Sequence, residues 1–205
     1  AYHCLLDNSS DNPVLRIRRY DLGSDGSLDL GEFHYSSPLT ESIKIRKLKK
    51  DLPLPDLMLI DGGDLALSYM SGATPIALPA VNSTPTENLQ IIGYGKDGYR
   101  GVTVSGLLRV GSVRLSETDD LYHTLTWFRG DDLASAASGD SGGPLFQMRD
   151  NGTLVAYGVA HAVKLHKNKG EKDFSSAITF YTRLDRQNIL DWIAAPAFLS
   201  SSGNG

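Results

Sequence analysis

The sequence predicts an all-β protein built in two halves and closed by a single C-terminal helix. Three observations carry that expectation. Short apolar alternations separated by turn residues run through most of the chain, which is the pattern of half-buried strands. Prolines and small polar residues cluster from Thr74 to Thr86, as they do in a connection between two halves. Near the C-terminus the period changes: Leu184, Ile189, Leu190 and Ile193 form an apolar stripe with Trp192, and Asp185 is placed as the helix N-cap.

The individual strands follow from the same alternation. Val102-Thr103-Val104, Leu108-Arg109-Val110 and Val113-Arg114-Leu115 each put apolar side chains on one face and a polar one on the other. Leu145-Phe146 and Leu154-Val155-Ala156-Tyr157 flank Asp150-Asn151-Gly152, and Asn-Gly suits a tight hairpin turn. After Pro196 the Ser- and Gly-rich tail is expected to be flexible. The chain has 205 residues, 40% of them hydrophobic, enough for one sizeable core or two small ones. The halves are expected at 1–80 and 81–205, the second including the helix.

A net charge of −4 gives no reason to expect nucleic acid or an anionic membrane as partner. No apolar run approaches the ~20 residues needed to span a bilayer. Cys4 is the only cysteine, so no disulfide forms within the sequence as it stands. Neither an initiator Met nor a signal-peptide pattern stands at Ala1.

Gly139-Asp140-Ser141-Gly142-Gly143-Pro144 is the segment that carries chemistry. A serine hydroxyl is a poor nucleophile at neutral pH. It needs a base, a group to orient that base, and donors for the oxyanion that forms. Glycines on both sides of Ser141 let backbone N–H groups converge on one small space, so the hexapeptide is a candidate nucleophile turn rather than an ordinary loop. His3, His34, His123, His161 and His166 are the available bases. Asp51, Asp56, Asp61 and Asp64 are nearby carboxylates, of which Asp56 directly opens an apolar strand.

These residues resemble the trypsin/chymotrypsin family of serine proteases. Ala1-Tyr2-His3-Cys4 is similar to the segment bearing its catalytic histidine, and Asp56-Leu57-Met58-Leu59-Ile60 to the strand bearing its aspartate. Thr74-Pro75-Ile76-Ala77-Leu78-Pro79, Ile92-Gly93-Tyr94-Gly95, Phe180-Tyr181-Thr182-Arg183-Leu184 and Asp191-Trp192-Ile193 follow in family order. The order His, Asp, Ser separates this family from others that use the same three roles. The resemblance implies a chymotrypsin-like double β-barrel with a C-terminal helix. The implied activity is that of a secreted or extracytoplasmic endopeptidase working through an acyl-enzyme. His3 would be the base, Asp56 its orienting partner and Ser141 the nucleophile, with N–H groups of Gly139 and Ser141 as the oxyanion hole. Polypeptide substrates and protein protease inhibitors are the implied partners, a monomer is expected, and catalysis requires no cofactor. A non-catalytic homologue that serves as a binding module is the alternative. The intact triad residues argue against it.

Asp140 corresponds to the family carboxylate that pairs with the amine released when a propeptide is removed. In the family that amine lies well upstream of the catalytic histidine, as does the usual partner of Cys4. The sequence is therefore expected to be N-terminally truncated, with its first barrel incomplete.

Specificity is read from four positions. Ser135 stands where an aspartate would select Arg or Lys, so cleavage after basic residues is not expected. Val163 and Thr179 stand where the family has pocket glycines, which resembles the narrowed pocket of elastases. His161 supports a different reading, in which an imidazole binds a substrate glutamate; a strand histidine with no such role is the third.

Asp21, Asp25, Asp29 and Glu32, with Gly26, nearly follow a calcium-binding loop, but Gly23 lacks the third ligand. Trypsins carry a calcium loop between the catalytic histidine and aspartate, while a simple Asp-Gly hairpin tip accounts for the same residues. Lys44–Lys50 reads as a solvated edge strand rather than a polyanion patch.

Overall fold

The computed structural model describes residues 14–17, 21–22, 28–29, 35–38, 44–47, 57–61, 72, 74–96 and 108–195. His3, Cys4, Asp56, Asp25, Glu32 and Val102–Val104 lie outside the described residues. The chain divides into two compact units, one holding 76–195 with Leu57, the other holding 5–47 and 58–75.

In the unit that starts at residue 5, six short strands pair antiparallel, β1 (Val14–Ile17) with β4 (Tyr35–Pro38), β2 (Asp21–Leu22) with β3 (Leu28–Asp29), and β5 (Lys44–Lys47) with β6 (Met58–Asp61). Asp21 and Asp29 are register partners in the β2–β3 ladder. The basic run therefore starts as a strand, and the strand expected after Asp56 forms as β6.

The other unit is a seven-stranded antiparallel sheet in the order β8-β7-β11-β12-β13-β10-β9. Its strands are β7 (Leu89–Gly93), β8 (Arg109–Ser112), β9 (Leu115–Thr118), β10 (Tyr122–Phe128), β11 (Pro144–Met148), β12 (Leu154–His166) and β13 (Ser176–Arg183). The Asn151-Gly152 turn joins β11 to β12 as expected. Gly152 takes φ +78 there, and Arg149 N–H bonds Thr153 O at 2.9 Å to close the hairpin. Alternation along β12 and β13 sends Val155, Tyr157, Ala160 and Tyr181 into one core with Leu89, Ile91, Leu125 and Leu145. Leu145 and Val155 have no exposed surface, and burying each such side chain contributes about 1.5–3 kcal/mol.

The opposite face of β12 carries the helix. Ala156 and Val159 pack with Leu57, Leu184, Ile189, Trp192 and Ile193, joining α1 (Gln187–Ala194) to the sheet. Where β13 has ended, Ala77 continues the ladder along β12: its N–H bonds Leu154 O and its carbonyl accepts from Ala156 N–H, both at 2.9 Å.

One local expectation fails. Asp185 is not the N-cap of α1; Arg186 holds that position without a side-chain cap bond. Asp185 instead points inward with no exposed surface. Arg183 Nε and Nη2 donate to its two oxygens at 2.9 and 2.7 Å, and His123 Nε2 lies 3.6 Å away. A charge partner two residues upstream outcompetes the helix amides, because a buried carboxylate gains more from a bidentate guanidinium than from one N–H.

Candidate active site

Ser141 is exposed on the turn between the loop 129–140 and β11. The turn is fixed from several sides. Asp140 N–H bonds Ala137 O at 3.1 Å, Gly143 N–H bonds Asp140 O at 2.9 Å, and Gly142 N–H reaches Ala160 O at 3.0 Å. Ala160 N–H returns the contact to Gly143 O at 2.8 Å, and Lys96 N–H bonds Ser138 O at 2.9 Å. Gly139 takes φ +101, and a Cβ there would sit 3.3 Å from Gly95 Cα. A side chain at this position would strain the backbone and crowd its neighbour at once.

Asp140 anchors the turn from below. Its Oδ1 accepts from Gly95 N–H at 2.6 Å and its Oδ2 from Ala137 N–H at 2.8 Å. The fit is possible only because residues 93 and 95 lack side chains. A Cβ on Gly93 would lie 2.0 Å from Asp140 Oδ1, and one on Gly95 would lie 2.3 Å from Oδ2. Tyr181, 1% exposed, lies beside this seat. Burial first, and then the Asp140 charge, push its phenol well above the usual range, so it stays neutral.

Asp140 also borders a cavity of about 290 Å³. Ile91, Val110, Trp127, Leu133, Leu165 and Phe174 are among its apolar walls. Sequence reasoning noted the Gly93-Tyr94-Gly95 motif and Asp140 separately. It did not foresee that the two glycines form the carboxylate's seat, nor did it single out Ala137 and Tyr181. The signal available was the pair of glycines flanking one aromatic; what it lacked was the contact across 45 residues.

The four specificity positions divide. Ser135 Oγ and Thr179 Oγ1 lie 3.2 Å apart, Thr179 is 1% exposed, and Val163 is its register partner across β12 and β13. These three come together. His161 sits at a β-bulge, the extra residue between Ala160 and Ala162. Its ring stacks on Tyr122 with centroids 5.3 Å apart and planes 15° apart, and Tyr122 meets Phe180 edge-on at 5.9 Å. Among the described residues no group of three or more His, Cys, Asp or Glu side chains is placed to hold a metal ion. No helix among them is long and apolar enough to cross a membrane.

An exposed serine on a glycine-rich turn, braced by an inward carboxylate and carried by a curled antiparallel sheet with one C-terminal helix, marks the class of serine proteases with a chymotrypsin-like fold. The family model of trypsin matches residues 1–193, and the chain belongs to the trypsin family of serine proteases. No curated protein matches the sequence.

Proposed function

We propose that the protein is a serine endopeptidase in which Ser141 attacks the scissile carbonyl of a polypeptide. His3 takes the hydroxyl proton and later delivers it to the leaving amine, while Asp56 fixes the imidazole tautomer and stabilises its charged form. N–H groups of Gly139 and Ser141 stabilise the oxyanion, a contribution of about 3–4 kcal/mol per donor in such sites. The observation that carries this reading is the anchored turn: Asp140, held by Gly95 and Ala137, fixes the segment on which Ser141 and Gly139 stand. Asp140 is proposed to pair, on maturation, with an α-amine released from a propeptide. The adjoining cavity is lined by Asp140, Lys96, Arg109 and Ser135 among mostly apolar side chains; the hydrogen-bonded carboxylate is its one anionic group, and the apolar walls suit an aliphatic residue following the ammonium. Such an enzyme acts outside the cytoplasm and alone.

The pocket base is polar but uncharged, through Ser135 and Thr179, so cleavage after Arg or Lys is disfavoured. Val163 and Thr179 fill space that glycines would leave open, which favours small aliphatic residues.

Labelling the mature full-length protein with a fluorophosphonate tests the nucleophile. Modification of Ser141, lost in Ser141→Ala, is expected; a folded, mature protein that stays unlabelled would leave only a binding module. Hydrolysis rates on peptides ending in Ala, Val, Phe, Glu and Arg test the pocket. Fastest cleavage after Glu would transfer the specificity to His161, and fastest cleavage after Arg would overturn the pocket reading.

A further inference from the structure

The strand that carries Val163 continues beyond the proposed pocket into a basic hairpin. β11 pairs with β12 only as far as Val159, whereas β13 follows β12 to His166, opposite Ser176. From His161 onward β12 therefore projects with a single paired side among the described residues. The projection ends in the loop 167–175. Lys164 near the end of β12 and Lys167, Lys169 and Lys172 in the loop are all exposed, and none of them enters an ion pair among the described residues.

The loop is held in shape. Ser175 N–H bonds His166 O at 2.9 Å, and Glu171 N–H bonds Asn168 O at 3.1 Å, with Gly170 at φ +90 in the turn between. Arg129 clamps it from the end of β10: its Nε and Nη2 donate to Phe174 O at 3.1 and 2.8 Å. The same guanidinium lies 3.3 Å from Glu171 Oε2. Glu171 is thus answered by Arg129, and the other acidic side chain of the loop, Asp173, is half-buried. The four lysines face solvent more fully than the loop's two carboxylates, which are partly buried, on a chain whose net charge is −4.

We propose that this hairpin is an exosite for acidic segments of polypeptide substrates, an inference that rests on the protease reading. Ala160 is tied to the nucleophile turn through Gly142 and Gly143. At the usual strand rise the six steps from Ala160 to His166 span roughly 20 Å. An extended substrate lying along this strand would bring residues four to seven positions from the cleaved bond, by the same rise, to about the level of the lysines. Exposed like charges on an ordered loop attract an oppositely charged chain through long-range steering, and salt weakens the effect over a Debye length of about 8 Å. A peptide fits better than nucleic acid. The patch is small, it lies on the strand leading from the proposed site, and the rest of the molecule repels a polyanion.

The test uses the mature full-length protein and two long peptides with one cleavage residue, one bearing three glutamates about five positions from the bond and one bearing serines there. A short neutral peptide is the reference. At low salt kcat/KM for the acidic peptide is expected to exceed that for the neutral one on the order of 10-fold. That preference should vanish in K167E/K169E/K172E and at high salt, with cleavage of the short peptide unchanged. Equal rates for the two long peptides, or a preference that survives in the variant, would overturn the exosite. So would tighter binding of a double-stranded DNA oligonucleotide than of the acidic peptide in fluorescence anisotropy. Should a charge-reversed variant misfold, the salt series on the unmodified protein decides the question in its place. Anisotropy with the labelled acidic peptide also reads the patch without catalysis, so failure of the protease reading shows separately, as no cleavage of the short peptide.

Discussion

Asp140 and Asp185 are two carboxylates drawn into the same unit and satisfied in different ways. Asp185 is buried and met by a side-chain cation, with Arg183 bidentate on it and His123 alongside. Asp140 takes its hydrogen bonds from the neutral N–H groups of Gly95 and Ala137 and borders a cavity. The first arrangement balances charge within the fold and belongs to its stability. The second fixes a carboxylate in place by neutral donors while keeping space beside it, as the proposed pairing with an α-amine would require.

The largest effect should come from stripping Asp185 of its cation. Arg183→Met leaves a buried carboxylate unbalanced and is expected to lower unfolding free energy by about 3–5 kcal/mol, measured by urea denaturation. A loss below about 1 kcal/mol would mean that the pair is no more than a surface-type bridge.

Gly93→Ala attacks the other seat. With a Cβ 2.0 Å from Asp140 Oδ1, the carboxylate must move and the nucleophile turn with it. We expect kcat/KM to fall about 100-fold, or about 2.7 kcal/mol of transition-state stabilisation. Active-site titration separates this loss from unfolding. Unchanged activity would show that Asp140 does not need this seat.

Acid sharpens the contrast further. Burial alone would raise the Asp185 carboxyl, but Arg183 and His123 outweigh it and hold it down at about 2, against an ordinary 3.8. The folded state thus binds this proton more weakly than the unfolded chain does. Its contribution of about 2 kcal/mol is complete above about pH 5 and is lost as pH falls toward 2. Thermal melts across that window should show the acid limb in the unmodified protein and a shallower one in Arg183→Met. Gly152→Ala is the smallest change. No atom lies within 4 Å of the added Cβ, so the cost is that of φ +78 alone, about 1 kcal/mol of stability with kcat/KM unaffected.

The two carboxylates also mark how far sequence reasoning reaches. The β character, the Asn151-Gly152 hairpin and the terminal helix were legible, because alternation, turn chemistry and helical period are local properties. Asp185 was misread as a helix cap for the same reason: the local pattern suits a cap, and His123, which lies across the sheet, leaves no trace in the neighbouring sequence. Ser135 and Thr179 could be paired only through family resemblance, since 44 residues separate them. The seat of Asp140 was hidden in a glycine motif whose purpose is a contact from a distant loop. Val163 was legible as a pocket candidate, whereas the stacking of His161 on Tyr122 depends on a bulge that no alternation pattern announces.

That bulge has a consequence for how the protein can change. One extra residue at His161 offsets the register of β12 between the part sandwiched by β11 and the part paired with β13 alone. Beyond it Val163 pairs with Thr179 and Leu165 with Ala177 in their own register. On the protease reading, a changed tip of the outer hairpin would alter which substrates are favoured, while Ala160, which precedes the bulge, keeps its bonds to the nucleophile turn.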